Sequence, residues 1–292
     1  MSTVNLPLVV GVDGSEPSLR AVDWAADEAA LRGVPLRLVN ASLWERYEGA
    51  ALAHDLGKPS GRGMAVDIVE TAARRARRRA ADVKISTDVL PEEPEYALVC
   101  EGRNASALVL GTRGRGGIAN LLLGSVSLTV AAHASCPVIV VRGNHDNQAR
   151  AGLRGRILLG VGDASTAAVD FAYEEAKRRG VPLDAVRAWR CPAHETTDHP
   201  LLAGEPTRLH EEQAAKVLEA ALKDAPADME LHRRTIEGPA RTALLAASQQ
   251  ADLLVVGARR REPGHLRLQL GRVAHTVLHH SACPVAVVPE RV

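Results

Sequence analysis

The sequence predicts an α/β protein made of two tandem domains, each an open, doubly wound parallel sheet. Its 292 residues are enough for two domains of ordinary size. The two halves repeat one series of motifs in the same order, which indicates a duplication. Within each half, runs rich in Val and Leu alternate with Ala-rich helical patterns. This alternation is typical of a parallel sheet that is covered by helices on both faces.

Matched segments in the two halves establish the repeat. Residues 8–15 open the first half, and residues 158–165 open the second half with one extra residue before the Asp. The other matched pairs are 21–25 with 168–172, 32–36 with 179–183, and 134–141 with 281–288. Because the order and spacing agree throughout, we interpret the halves as duplicated domains. The predicted bounds are 1–143 and 154–292, and a polar linker near 143–154 joins them.

Five strands and four helices are predicted in the first half. The strands are 8–12, 36–40, 85–89, 108–110 and 138–141, and the helices are 16–32, 65–81, 95–104 and 125–134. The first helix carries clear end signals, with Ser15 as N-cap, Pro17 in the first turn and Gly33 at the end. Sheets of this type bind ligands beyond the carboxyl ends of the strands, where the winding reverses. A binding site is therefore expected at that edge.

A glycine-rich loop follows the predicted fourth strand. Gly111 and Gly114 are three residues apart, and nine residues separate Gly114 from Gly124 and Ser125. Glycine permits a close backbone approach that a Cβ would block, so the loop can present amide N–H groups to an anion. Gly124 and Ser125 open a helix whose unpaired N–H groups suit a phosphate. The hydroxyls of Ser125 and Ser127 are expected to be additional donors.

Charged residues near this loop favour a nucleotide with several phosphates. Arg113 and Arg115 supply local positive charge, although the net charge of the chain is only +1. Asp13 ends the first predicted strand at the same edge, where a carboxylate can accept a hydrogen bond from a ribose or an adenine amine. Taken separately, a glycine-rich loop and an Asp at a helix start are equally typical of structural turns.

The combined motifs resemble the ATP-binding class of the universal stress protein family. They are Gly-x2-Gly-x9-Gly-Ser after the penultimate strand, Val-Asp-Gly-Ser near the start and Cys-Pro-Val near the end. The likeness extends over nearly the whole chain and implies a Rossmann-like fold of the adenine nucleotide alpha hydrolase type, with ATP and Mg²⁺ as the ligand. The site residues that it implies are Gly11, Val12, Asp13, Ala41, Gly111, Thr112, Arg113, Gly114, Arg115, Gly116, Gly117, Gly124, Ser125, Val126 and Ser127. The family's usual Asp before the fourth strand is Ser106 here, which we expect to affect local structure more than binding.

The second half departs from this loop pattern. Gly257 is retained, but Arg260 stands in the position of the second glycine, ten residues rather than nine precede Gly271, and Arg272 replaces the serine. Because the Arg260 side chain crowds the loop, we predict a weakened or lost nucleotide site in this half. The alternative is that Arg260 and Arg272 add positive charge and that the site still binds.

Composition narrows the possible functions. Aromatic residues make up only 2% of the chain, so a base-stacking surface for single-stranded nucleic acid is not expected. The basic run at 74–79 lies among acidic residues on a predicted helix, and we interpret it as a solvated helix face rather than a nucleic-acid patch. Cys191, His194, Asp198 and His199 lack zinc-like spacing, so no metal site is expected.

The sequence favours binding over catalysis. It has no Walker Gly-Lys-Ser/Thr, Gly-x-Ser-x-Gly or His-Glu-x-x-His motif. We therefore expect an ATP-binding stress-response protein that acts by regulatory binding. The alternatives are a weakly ATP-hydrolysing or adenylate-forming enzyme and a ligand-free structural dimerisation module.

Location and assembly are also expectations from the sequence. A soluble cytoplasmic protein is expected, because neither a secretory signal, nor a membrane-length apolar run, nor a disulfide-like cysteine pattern is found. The apolar runs 138–141 and 285–288 would invite strand pairing if exposed. Such pairing can join the two halves to each other or form a homodimer.

Overall fold

Short apolar segments alternate with longer helices along the chain, as the sequence predicts. The computed structural model describes residues 5–43, 61–112, 123–142, 155–163, 166–191, 205–259 and 270–290. These residues fall into two compact units, 5–142 and 155–290. The predicted linker at 143–154 lies outside the described residues.

The first unit is a parallel sheet with helices in its crossover connections. In chain order its described elements are β1 (Leu8–Gly11), α1 (Glu16–Arg32), β2 (Leu36–Ala41), α2 (Gly61–Arg79), β3 (Ile85–Leu90), α3 (Pro94–Glu101), β4 (Ala107–Gly111), α4 (Ser125–His133) and β5 (Val138–Val141). A 3₁₀ turn at Gly102–Asn104 continues α3. The strand order is β3-β2-β1-β4-β5, and every pairing within it is parallel. The predicted doubly wound sheet is confirmed, and the winding reverses between β1 and β4.

The second unit repeats this topology. Its described elements are β6 (Ile157–Gly160), α5 (Thr166–Arg179), β7 (Leu183–Trp189), α6 (Glu205–Ala221), β8 (Leu231–Glu237), α7 (Ala240–Ser248), β9 (Leu253–Arg259), α8 (Arg272–His280) and β10 (Val285–Glu290). The strand order is β8-β7-β6-β9-β10, again with parallel pairings. Equivalent positions in the two units can therefore be compared through their strand registers and helix starts.

The end signals of α1 act as the sequence predicts. The Ser15 side chain accepts a hydrogen bond from the Ser18 N–H, so it caps the first turn. Gly33 takes a left-handed conformation, with a φ of 65°, and its N–H bonds to the last carbonyls of the helix. The start of α1 is thereby fixed directly after β1, at the edge where a ligand is expected.

Aliphatic side chains form the core of each unit. Leu8 and Ile139 in the first unit, and Leu158 and Leu254 in the second, are at most 1% exposed. Burial of such side chains stabilises a fold by roughly 1.5–3 kcal/mol each. Within the described ranges, no helix has an apolar stretch long enough to cross a membrane.

The basic run on α2 is only partly a solvated face. Arg75 donates two hydrogen bonds to the Asp23 carboxylate, at 2.8 and 2.5 Å, and Arg79 donates two to Asp27, at 2.7 and 2.8 Å. Both carboxylates belong to α1, so these pairs join α1 to α2. The interpretation as a solvated face is correct for Arg74 and its other exposed neighbours, but Arg75 and Arg79 stabilise helix packing.

Candidate functional site

The described site residues of the first unit meet at the carboxyl edge of its sheet. Gly11, Ala41 and Gly111 end three neighbouring strands, because β1 pairs with both β2 and β4. The start of α4 follows at the same edge. The predicted residues Arg113, Gly114, Arg115, Gly116 and Gly117 lie outside the described residues.

Two hydrogen bonds join the end of β4 to the start of α4. The Gly124 N–H donates to the Thr112 carbonyl at 2.7 Å. The Ser127 hydroxyl donates to the Gly111 carbonyl at 2.7 Å, and Ser127 is buried. A hydroxyl has one proton to donate, so Ser127 holds the helix in place instead of pointing its proton at a ligand. The two ends of the glycine-rich loop are therefore anchored close together.

The start of α4 is open in the way that an anion site requires. Its N-cap, Gly124, provides no side-chain hydrogen bond to the first turn. Leu128 is the first residue whose N–H bonds back into the turn, to the Gly124 carbonyl at 3.1 Å. The N–H groups of Ser125, Val126 and Ser127 precede that bond, and the positive end of the helix dipole lies with them. This arrangement suits a phosphate.

Gly111 allows α1 to lie directly against the end of β4. A Cβ at this position would lie 2.6 Å from both the carbonyl carbon and the oxygen of Pro17, in the first turn of α1. Real Cβ atoms do not approach backbone atoms so closely. Glycine is therefore required here, and its presence brings the starts of α1 and α4 to the same strand end.

Asp13 forms a turn that leads from β1 into α1. One of its carboxylate oxygens, Oδ1, accepts hydrogen bonds from the Ser15 N–H at 3.0 Å and the Ser15 hydroxyl at 2.6 Å. Asp13 therefore has the turn-forming role that its sequence position leaves open as an alternative to ligand binding. It is compatible with a ligand role, because carboxylate oxygens accept several hydrogen bonds.

Two residues at this edge were missed by sequence analysis. The buried side-chain amide of Asn40 donates to the Val12 carbonyl at 2.7 Å, which ties the end of β1 to that of β2. Glu95, the second residue of α3, accepts a hydrogen bond from the Ser125 hydroxyl at 3.4 Å. The available sequence signal for Asn40 was its position as a polar residue near the end of an apolar run. Glu95 had no such signal, because it reaches Ser125 only through the fold.

In the second unit a carboxylate of the protein lies beside the equivalent glycine. Glu290, at the end of β10, is buried and accepts hydrogen bonds from the N–H groups of Ala167 and Ala168, at 3.1 and 3.2 Å. Its Oε1 lies 2.6 Å from the place of a Cβ on Gly257. A negative charge of the chain thus lies at the start of α5, next to the first loop glycine. Glu290 is therefore a further difference from the first unit, in addition to Arg260, the extra loop residue and Arg272.

The edge of β6 also differs from that of β1. Arg187 of β7 donates to the Asp163 carboxylate at 2.6 Å and to the Val161 carbonyl at 3.4 Å. By strand register, Arg187 stands where the first unit has Asn40. Asp163 is therefore held in an ion pair with an arginine, whereas Asp13 accepts hydrogen bonds from Ser15.

The possible metal ligands named above are mostly outside the described residues. Cys191 is described, whereas His194, Asp198 and His199 are not. Within the described ranges, no group of three or more His, Cys, Asp or Glu residues is placed to hold a metal ion.

Comparisons with known proteins agree over almost the full length of the chain. The profile of the universal stress protein family matches residues 6–142 and 154–289. A universal stress protein of Mycolicibacterium smegmatis is 32% identical over 309 residues, covering 99% of each chain. One from Mycobacterium tuberculosis is 32% identical over 305 residues, covering 97% of this chain and 95% of its own.

A solved structure has the same fold. The crystal structure of a universal stress protein from Archaeoglobus fulgidus superposes with a TM-score of 0.67 and covers 98% of this chain and 99% of its own. Its sequence is 20% identical to this one. At that identity the likeness concerns the fold alone.

Proposed function

Because this chain belongs to the universal stress protein family, we propose that its first unit binds ATP together with Mg²⁺. We further propose that the protein is a nucleotide-dependent regulatory binding protein in the stress response. The observation that carries the proposal is the open start of α4, which Ser127 anchors to the end of β4. A helix start whose first N–H groups have no partner among the described residues, beside a strand that ends in glycine, suits a phosphate chain.

The residues at this edge divide into two groups. The N–H groups of Ser125, Val126 and Ser127 would hold phosphate oxygens, together with the loop that follows Gly111. Asp13, Val12 and the Ala41 backbone would hold the nucleoside at the ends of β1 and β2. The Ser125 hydroxyl and the Glu95 carboxylate, 3.4 Å apart, are oxygen ligands of the kind that Mg²⁺ prefers.

The proposed site is confined to the first unit. In the second unit the Glu290 carboxylate lies beside Gly257 and accepts two N–H groups at the start of α5. A phosphate at that place would meet this negative charge and would also have to displace its hydrogen bonds. We therefore expect the Mg²⁺–ATP site to lie in the first unit.

Calorimetry on the full chain tests the proposal. After removal of co-purified nucleotide, ATP is titrated with Mg²⁺ into the protein and into two matched variants. Gly124→Glu places a negative charge at the start of α4, and Gly271→Glu does the same at the equivalent N-cap of α8. We expect Gly124→Glu to weaken the ATP site of the first unit at least about 30-fold, and Gly271→Glu to leave that site within about threefold. Equal losses in both variants, or no binding of ATP at millimolar concentration, would overturn the proposal.

The enzymatic alternative is tested with the same proteins. Glu95 is the carboxylate next to Ser125, so Glu95→Gln removes a possible general base without changing the size of the side chain. We expect phosphate release from ATP to be the same for the parent chain, for Glu95→Gln and for Gly124→Glu. Turnover that Glu95→Gln abolishes while binding persists would make the protein an ATP-hydrolysing enzyme.

We also propose that the protein works in the cytoplasm. All four cysteines lie in the described residues, and none of them forms a disulfide with another. This thiol chemistry suits a reducing compartment. Fractionation of cells that express the protein is expected to place it with the cytoplasmic markers, and recovery with secreted proteins would contradict this.

A further inference from the structure

The second unit carries a reversal of charge at the edge that binds ligands in such folds. In the first unit, the second residue of α3 is Glu95 and the first residue of α4 is Ser125, and their side chains are hydrogen-bonded. The equivalent positions in the second unit are the second residue of α7 and the first of α8. These are Arg241 and Arg272. A carboxylate and a hydroxyl are thus replaced by two guanidinium groups.

Both arginines line one cavity. It has a volume of about 350 Å³ and lies beyond the ends of β7 and β8. Arg190, which directly follows β7, and Trp189 line it as well. The volume is within the range of roughly 300–1,000 Å³ that small-molecule sites have. Three arginines and a tryptophan therefore border a space of suitable size.

Among the described residues that line this cavity, all the charged ones are arginines. Glu237, which ends β8 directly before Gly238, is exposed and is not among them. Among the described residues, Arg190, Arg241 and Arg272 have no ion-pair partner. The N-caps of α7 and α8, which are Pro239 and Gly271, give no side-chain hydrogen bond to the first turns. The positive ends of two helix dipoles thus add to three cationic side chains.

We infer that this cavity binds a small organic or inorganic anion that carries two or more negative charges on phosphate or carboxylate groups. Guanidinium groups bind such oxyanions through paired hydrogen bonds, and the helix starts supply further N–H donors. The indole of Trp189 gives an apolar wall for the uncharged part of an organic ligand. Binding depends on the anionic groups and does not require a nucleobase.

This site is separate from the carboxylate that lies beside the equivalent loop glycine. Glu290 ends β10 and accepts hydrogen bonds at the start of α5, and it is not among the described residues that line the cavity, which lie at the end of β7 or at the starts of α7 and α8. The inference also does not depend on ATP binding by the first unit, because all the residues that carry it belong to the second unit.

The test uses the full chain with Gly124→Glu in the first unit, so that a phosphate-binding site there does not contribute. Inorganic pyrophosphate and citrate are titrated separately by calorimetry at low salt, and AMP forms a third arm. We expect one site for pyrophosphate or citrate, with affinity that falls as salt increases. Whichever of the two anions binds more tightly shows whether the site recognises phosphate or carboxylate groups. Trp189 fluorescence is expected to change on binding.

The variants separate a real site from general attraction of anions. Arg241→Glu combined with Arg272→Ser installs the side chains that the first unit has at these positions, and it is expected to weaken binding at least about 30-fold. Arg234→Glu on β8 makes a comparable change in charge at an exposed residue outside the cavity, and it should change affinity less than about threefold. Trp189→Phe should remove the fluorescence change and leave calorimetric binding measurable.

Three results would overturn the inference. One is that neither pyrophosphate nor citrate binds at millimolar concentration at low salt. Another is that the combined Arg241→Glu and Arg272→Ser variant, with unchanged thermal unfolding, binds as the parent does. The third is that AMP binds and both simple anions fail, since recognition would then depend on the base. Arg190→Gln provides a second variant if the double variant does not fold.

Discussion

The hydroxyl of Ser127 donates a hydrogen bond to the carbonyl oxygen of Gly111 at 2.7 Å, and this bond is buried. It joins the first turn of α4 to the last residue of β4. This bond therefore anchors the two ends of the glycine-rich loop to each other. The proposed phosphate site depends on this bond, because the N–H groups of α4 are useful only if they remain next to the strand end.

Ser127→Ala is expected to lower both stability and nucleotide affinity. Loss of the hydroxyl leaves the buried Gly111 carbonyl without this donor, which costs about 1–2 kcal/mol of unfolding free energy. Ser125→Ala is the matched control, because the Ser125 hydroxyl is exposed and bonds only weakly to Glu95. It should reduce ATP affinity without changing urea denaturation. If Ser127→Ala lowered affinity and left stability unchanged, Ser127 would be a direct ligand of the nucleotide.

Gly111→Ala is expected to disrupt the site through the backbone of α1. The added Cβ would lie 2.6 Å from the Pro17 carbonyl, so α1 or β4 must shift, at a cost of about 1–3 kcal/mol. ATP binding should be lost. Gly33→Ala is the control, because its left-handed φ of 65° makes it destabilising by about 1–2 kcal/mol at the opposite end of α1. Equal loss of ATP binding in the control would mean that general destabilisation explains the effect.

Much of this fold was predictable because local signals agreed with one another. The apolar runs that become β1 to β5, the N-cap Ser15 and the terminating Gly33 each show their role within a few residues of sequence. The first predicted strand extended one residue too far, since β1 ends at Gly11. Val12 follows it with its N–H still bonded to Val39.

The parts of the site that sequence analysis missed depend on contacts between distant residues. Glu95 meets Ser125 only because α3 and α4 start at one edge of the sheet. Glu290 reaches Gly257 because β9 and β10 pair in parallel, with a register that no short motif encodes. Arg75 is one of several arginines in a run, and nothing local distinguishes it from the solvated ones. Sequence patterns indicate elements, whereas these side-chain roles follow from topology.

Arg75→Ala is expected to destabilise the fold far more than a substitution at an exposed arginine of the same basic run. Its guanidinium makes two hydrogen bonds to Asp23, whose side chain is only 5% exposed. Removal of Arg75 leaves a nearly buried carboxylate without its counter-charge, which costs about 2–4 kcal/mol. Arg78→Ala, at an exposed position of the same helix, should change stability by less than about 0.5 kcal/mol. Urea denaturation compares the two.

A second substitution checks the cause of that loss. Asp23→Ala combined with Arg75→Ala removes both charges and should recover part of the stability that Arg75→Ala loses. No recovery in the double variant would show that packing of the Arg75 stem, rather than the ion pair, stabilises the contact between α1 and α2.

Tyr173 on α5 is a buried phenol whose hydroxyl has no hydrogen-bond partner in the described structure. Burial raises its pKa above the ordinary value near 10, and the charges of Asp170 and Asp224 add to the rise, while Arg233 opposes it. The folded state therefore binds the phenolic proton more tightly than the unfolded state does. This contribution to stability is complete below the ordinary pKa and is lost as pH rises through the raised pKa.

Tyr173→Phe is expected to maintain or increase stability near neutral pH, by up to about 1–2 kcal/mol, because it removes a buried hydroxyl that lacks a partner. Above about pH 10 the variant should lose less stability than the parent chain, since it has no phenol to ionise at this position. Denaturation midpoints measured from pH 7 to pH 11 check both expectations, and absorbance of tyrosinate should show one high-pKa group fewer. A variant that is less stable than the parent at pH 7 would show instead that the hydroxyl makes a favourable contact, because removal of an unsatisfied group does not weaken a fold.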